Sequence, residues 1–126
     1  MIVVDTSALM AILRREPQAE NCRAAIAKED NIKISAGTLA EALIVADSRN
    51  SGAQMRALIE QLNLEVIPVT PARAEHVAQA HRQWGRGHHP AGLNFGDCFA
   101  YALANELACP LVFIGNDFTR TDVMQA

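Results

Sequence analysis

At 126 residues, half of them apolar and 20% charged, the chain is long enough for one domain with a real core and too apolar for intrinsic disorder. Its formal net charge of -3 does not mark a nucleic-acid binder by charge alone. No apolar run reaches the roughly 18 residues of a membrane span, and MIVVDTS at the start lacks a basic leader region, so a cytoplasmic protein without a signal peptide is expected.

Ile2 to Val4 is a short β-branched run that predicts a buried strand. Asp5-Thr6-Ser7 offers helix N-cap chemistry before a helix over Ala8 to Arg15, and Pro17 permits a second helix from Ala19 to Lys28. Ile32 to Ser35 alternates as a strand does, and Thr38 to Asp47 resumes an apolar helix. After the Ser51-Gly52 break, Ala53 to Leu62 has the spacing of an amphipathic helix. Glu65 to Val69 is a strand that Pro68 demotes towards an edge or a strand end, and Pro71 opens a helix to about Trp84. GRGHHPAG is the clearest loop. Asn94 to Leu107 is a long apolar helix, Leu111 to Ile114 a buried strand, and Gly115-Asn116 a turn. Strands alternating with helices predict a three-layer α/β/α domain over residues 1–126 with a mainly parallel sheet.

Four acids lie where an apolar strand or loop meets a helix or turn: Asp5, Glu41, Asp97 and Asp117. Each has an ordinary explanation in helix capping. Asp5 fits an N-cap, Thr38 and Glu41 have the spacing of a capping box, and Asp97 follows Asn94 by three residues. Together they say more, because each of the first three is nearly the only charge in an apolar stretch. Glu16, Glu20, Glu29, Glu60 and Glu75 sit instead among polar neighbours. Carboxylates gathered at a core edge repel one another and lose hydration, which favours a hard divalent cation.

Other chemistry is thin. Cys22, Cys98 and Cys109 show no metal-finger spacing and fit buried reduced thiols. His76 and His81 are five apart and share no helix face, while Arg86, His88 and His89 are weaker candidates for phosphate contact. Nine of the eleven basic residues are arginine, the better phosphate fork.

In MIVVDTSALMAIL, SAGTLAEALIV, LNFGDCFAYALA and GNDFTRTDV, the chain resembles the PIN-domain ribonucleases, specifically the VapC toxins of VapBC toxin–antitoxin modules. The resemblance runs in order through the whole length. It implies a PIN-like fold and an Mg²⁺-dependent endoribonuclease, with Mn²⁺ as a possible substitute. Asp5, Glu41, Asp97 and Asp117 would be its metal-binding and catalytic acids, supported by Thr6 and Asn116, with metal-activated water cleaving RNA. It further implies inhibition by a VapB-type antitoxin and a homodimer. Many PIN domains carry two acids in the last motif; Asn116 is neutral, which predicts a weaker second-metal site.

Two other classes fit parts of the pattern. A phosphoacceptor domain also gathers acids at strand ends, but it wants a lysine late in the chain, and the only lysines are Lys28 and Lys33. A non-catalytic PIN-like binding module would not need all four acids.

Overall fold

A computed structural model describes all of residues 1–126. Its elements are β1 (Ile2–Val4), α1 (Thr6–Leu13), α2 (Ala19–Ala27), β2 (Ile32–Ser35) and α3 (Ala36–Ser48), followed by α4 (Gly52–Gln61), β3 (Glu65–Ile67), α5 (Pro71–Trp84), α6 (Phe95–Leu107) and β4 (Leu111–Val112). The four strands are all parallel, in the order β3-β2-β1-β4. In register, Ile2 faces Ile32, Val3 faces Leu111 and Ile34 faces Val66.

A parallel sheet needs both faces covered, so its inner strands read as unbroken apolar runs. Strand alternation then divides the core. Ile2, Val4, Ile34 and Val112 pack with residues of α1 to α4, whereas Val3, Leu111 and Phe113 pack with α5 and α6. This is the expected three-layer α/β/α arrangement. The edge strand is β3, where Pro68 ends it at Ile67, two residues short of the predicted Val69. The strand predicted to Ile114 likewise ends at Val112, and the first helix starts at Thr6 and stops at Leu13. No helix is long and apolar enough to cross a membrane.

The connections run β1 to β2 to β3 on one side and then return to place β4 on the other side of β1. Between β1 and β4 the winding therefore changes direction, and the crevice at the carboxyl ends of such a strand pair is where open α/β sheets hold ligands. Asp5 directly follows β1, and Asp117 lies in the turns that follow β4.

Two glycines set how closely α3 and α6 cross. A Cβ at Gly37 would stand 2.2 Å from the Phe99 ring, and one at Gly96 would stand 1.9 Å from Glu41 Oε2. Bare backbone at both points lets a large side chain of the opposite helix lie flat on it, and that draws Glu41 toward the first turn of α6.

Tyr101 ties the C-terminal segment to this layer. Trp84 Nε1–H donates to its hydroxyl at 2.8 Å, and the hydroxyl donates to Asp122 Oδ1 at 2.5 Å. Tyr101→Phe removes both bonds and leaves the half-buried Trp84 N–H without its partner, so a loss of about 1–3 kcal/mol is expected in denaturant unfolding. The three cysteines are buried and unpaired. Met10 and Leu58 belong to the core, while Ile44 is 69% exposed.

Candidate active site

Asp5 leaves β1 in extended conformation and caps α1, as its position suggests. Its Oδ2 accepts from the Ser7 backbone N–H at 3.0 Å and from the Ser7 hydroxyl at 2.6 Å. Its Oδ1 is buried and has no hydrogen-bond partner in the protein. A buried carboxylate oxygen without a donor is costly, and such an atom calls for a ligand. Burial is also the main reason the Asp5 carboxyl is pushed up to about 6, with the nearby Glu41 charge adding to it against the Ser7 hydrogen bonds.

Asp97 stands at the third position of α6 in a reciprocal capping box. Asn94 Oδ1 accepts from its N–H at 2.8 Å, and Asp97 Oδ2 accepts from the Asn94 N–H at 3.0 Å. Desolvation, followed by the charges of Asp5, Asp117 and Glu41, raises its carboxyl to about 7 despite that bond. Asp97 is thus within electrostatic reach of the other three acids, so the structure brings the four sequence-predicted carboxylates into one neighbourhood.

Glu41 corrects one expectation. Thr38 and Glu41 do not form a capping box: Ser35 caps α3 by accepting from the Gly37 N–H at 3.2 Å, so Thr38 already lies inside the helix. Thr38 is fully buried, and Glu41 reaches across to accept from the Thr6 hydroxyl at 2.6 Å. Each of the three carboxylates therefore has one oxygen fixed by the chain: Oδ2 of Asp5 by Ser7, Oε1 of Glu41 by Thr6, and Oδ2 of Asp97 by Asn94. The other oxygen of each is left uncommitted.

Ser7 matters more than its place beside Asp5 suggests. Its hydroxyl donates to Asp5 and accepts from the Ile114 N–H at 3.0 Å. One side chain thereby joins the end of β1 to the segment leading from β4 to Asp117. Nothing in the local sequence announces a bond between residues 107 apart. Asp117 and Asn116 are exposed in that segment, and the Asn116 carbonyl accepts from the Thr119 hydroxyl at 2.8 Å.

The basic loop divides. His89 is structural, packed edge-to-face with Trp84 at 4.7 Å and accepting from the Ala91 N–H. Arg86 and His88 are exposed, the latter edge-on to His81 at 5.3 Å. His76 pairs with Glu106, away from the acids.

The residues present fit a hard divalent cation by donor type, with three free carboxylate oxygens around mutually repelling charges. No three of the His, Cys, Asp and Glu side chains close into a preformed cage. Magnesium keeps several of its waters and needs only one or two carboxylates.

Gly96 allows a specific test of this geometry. Gly96→Ala would push the Glu41 carboxylate aside, which a flexible side chain tolerates, and alanine suits a helix better than glycine. The variant is expected to melt at or near the wild-type temperature, yet to lose roughly 10- to 100-fold in any activity that depends on Glu41.

Comparison with known proteins identifies the family. The PIN domain family profile matches residues 2–124. The chain belongs to the PIN-domain family. Among its members, the relatives matched over nearly the whole chain are VapC ribonucleases, which places the chain on the VapC branch. Ribonuclease VapC28 of Mycobacterium tuberculosis is 45% identical, covering 99% of this chain and 97% of the relative. Ribonuclease VapC of Mycolicibacterium smegmatis is 39% identical, covering 97% of each chain. Among solved structures, Mycobacterium tuberculosis VapC20, described as a sarcin-ricin loop cleaving toxin, superposes with a TM-score of 0.80 at 17% identity, covering 100% of this chain and 98% of its own. DNA-bound VapBC from Salmonella typhimurium gives 0.69 at 21% identity, covering 98% and 94%.

Proposed function

We propose that this protein is a divalent-metal-dependent endoribonuclease, the toxin of a VapBC-type pair. The observation that carries the proposal is the set of three fixed carboxylates, each with one oxygen free, at the switch point of the sheet. Asp5, Glu41 and Asp97 would hold Mg²⁺, or Mn²⁺ in its place, with Asp117 contributing from the exposed segment after β4. When bound, such an ion lowers the pKa of water and offsets the charge that develops on a phosphodiester under in-line attack.

The chain's own residues supply the rest. Ser7, Thr6 and Asn94 hold the three carboxylates in one orientation, so little reorganisation is left for the reaction itself. Asn116 is neutral, which makes the Asp117 side of the site the less acidic one. Relatives named ribonuclease VapC support RNA as the substrate, and structural neighbours that are toxin–antitoxin complexes support a VapB-type antitoxin as partner. A homodimer and a cytoplasmic location belong to the same proposal.

Purified protein is expected to cleave single-stranded RNA with Mg²⁺ and to stop when a chelator is added. Cleavage untouched by chelator would overturn the metal-dependent mechanism.

A further inference from the structure

A large aromatic side chain stands almost bare beside the acids. Phe95 opens α6, two residues before Asp97, and is 76% exposed. Its ring is held edge-on against Phe99 at 5.0 Å, and Phe99 in turn lies over Gly37 of α3. The two rings form one wall of a groove of about 550 Å³ whose apolar lining continues through Val69 and Val77. His81 and Arg82 are its polar lining. Neither of these, nor Arg86 in the neighbouring loop, is engaged in an ion pair within the chain.

This combination has a chemical meaning next to a carboxylate cluster. The acids repel phosphate, so a polyanionic substrate has to be gripped by groups beside them. An exposed aromatic face with flanking cations takes a base by stacking and its phosphate by charge. A guanidinium adds planar, two-pronged contact with phosphate. The groove and the acids lie at the same end of α6, since Phe95 and Asp97 both belong to its first turn.

We infer that the groove walled by Phe95 and Phe99 is a nucleobase subsite, in which an unpaired base of the RNA stacks on Phe95 while Arg82 contacts its phosphate. The inference rests on the ribonuclease reading above and extends it to a positioning role for Phe95. It also gives the site a preference for single strands, because a base inside a duplex cannot reach the ring.

The test uses full-length protein and a single-stranded RNA oligonucleotide carrying 2-aminopurine, in an Asp5→Asn background that leaves the RNA intact. Phe95→Ala is expected to weaken binding by roughly 5- to 150-fold and to remove the fluorescence quenching that reports stacking. Phe95→Trp restores both. Phe95→Leu keeps the apolar bulk but has no π-face, and restores neither. Arg82→Gln reduces the slope of log affinity against log salt by about one. Unchanged binding by Phe95→Ala, or full restoration by Phe95→Leu, overturns the subsite. So does a change of oligomeric state in Phe95→Ala with RNA affinity intact, which would give the groove to a second copy of the chain. Cleavage of the same oligonucleotide by wild type with Mg²⁺ is scored separately. If that fails while binding still depends on Phe95, the ribonuclease reading falls and the base subsite stands.

Discussion

Asp97→Asn protein should fold as the wild type does and cleave RNA more than about a hundredfold more slowly. The fold is expected to survive because an asparagine carbonyl at this position can still accept from the Asn94 N–H, while its own N–H still reaches Asn94 Oδ1; both bonds of the capping box are kept. What is lost is a negative charge and a hard anionic oxygen. Outer contacts that merely orient metal ligands are worth roughly 10- to 100-fold, so a ligand itself should cost more. Asp5→Asn should behave alike, with Ser7 still bonded to the retained oxygen. Circular dichroism and melting establish folding, and cleavage of a single-stranded RNA with Mg²⁺ measures the effect. Full activity in both folded variants would remove these residues from the mechanism.

Without metal, the wild type should lose stability as pH rises from about 4 to about 7. Folding raises the Asp5 carboxyl from 3.8 to about 6 and that of Asp97 to about 7. In that window the folded chain holds more protons than the unfolded chain, and stability then falls with increasing pH. Below about pH 4 both states are protonated and the penalty disappears; above about 7 it is present in full. Each tenfold change in proton affinity is about 1.4 kcal/mol, so the two acids together amount to several kcal/mol. Magnesium should reverse the trend, because it takes the place of the protons. At a hundred times its dissociation constant it would add about 2.7 kcal/mol. The melting temperature in chelator, read as wild type minus Asp97→Asn, should fall between pH 4 and 7, and Mg²⁺ should raise the wild type more at pH 8 than at pH 5. A flat difference, or a Mg²⁺ shift of equal size in both proteins, would contradict the coupling.

Much of this was legible in the chain because the local wording is strong. The β-branched run before Asp5 can only be a buried strand, and an Asn three residues before an Asp at the head of an apolar helix spells its own cap. Pro68 correctly demotes its strand towards an edge or a strand end. The errors came where two local signals compete. Thr38 and Glu41 have capping-box spacing, yet Ser35 three residues earlier does the capping, and periodicity alone does not choose between two hydroxyls as the start of a helix. That choice decides whether Glu41 turns back on its own helix or reaches Thr6. In the sequence Ser7 offers only cap chemistry beside Asp5, because its bond to Ile114 depends on β1 and β4 lying side by side. Phe95 reads as one more apolar residue of a long helix; its exposure follows from how α6 is laid against α3, with Gly37 receiving Phe99 and leaving Phe95 outside.

The most direct measurement is a calorimetric titration of Mn²⁺ into wild type, Asp5→Asn and Asp97→Asn at pH 7.5. A carboxylate site at the β1–β4 switch point predicts saturable binding by the wild type, accompanied by proton release, and at least a tenfold loss of affinity in each variant. Equal binding by all three folded proteins would place the metal elsewhere and contradict the site.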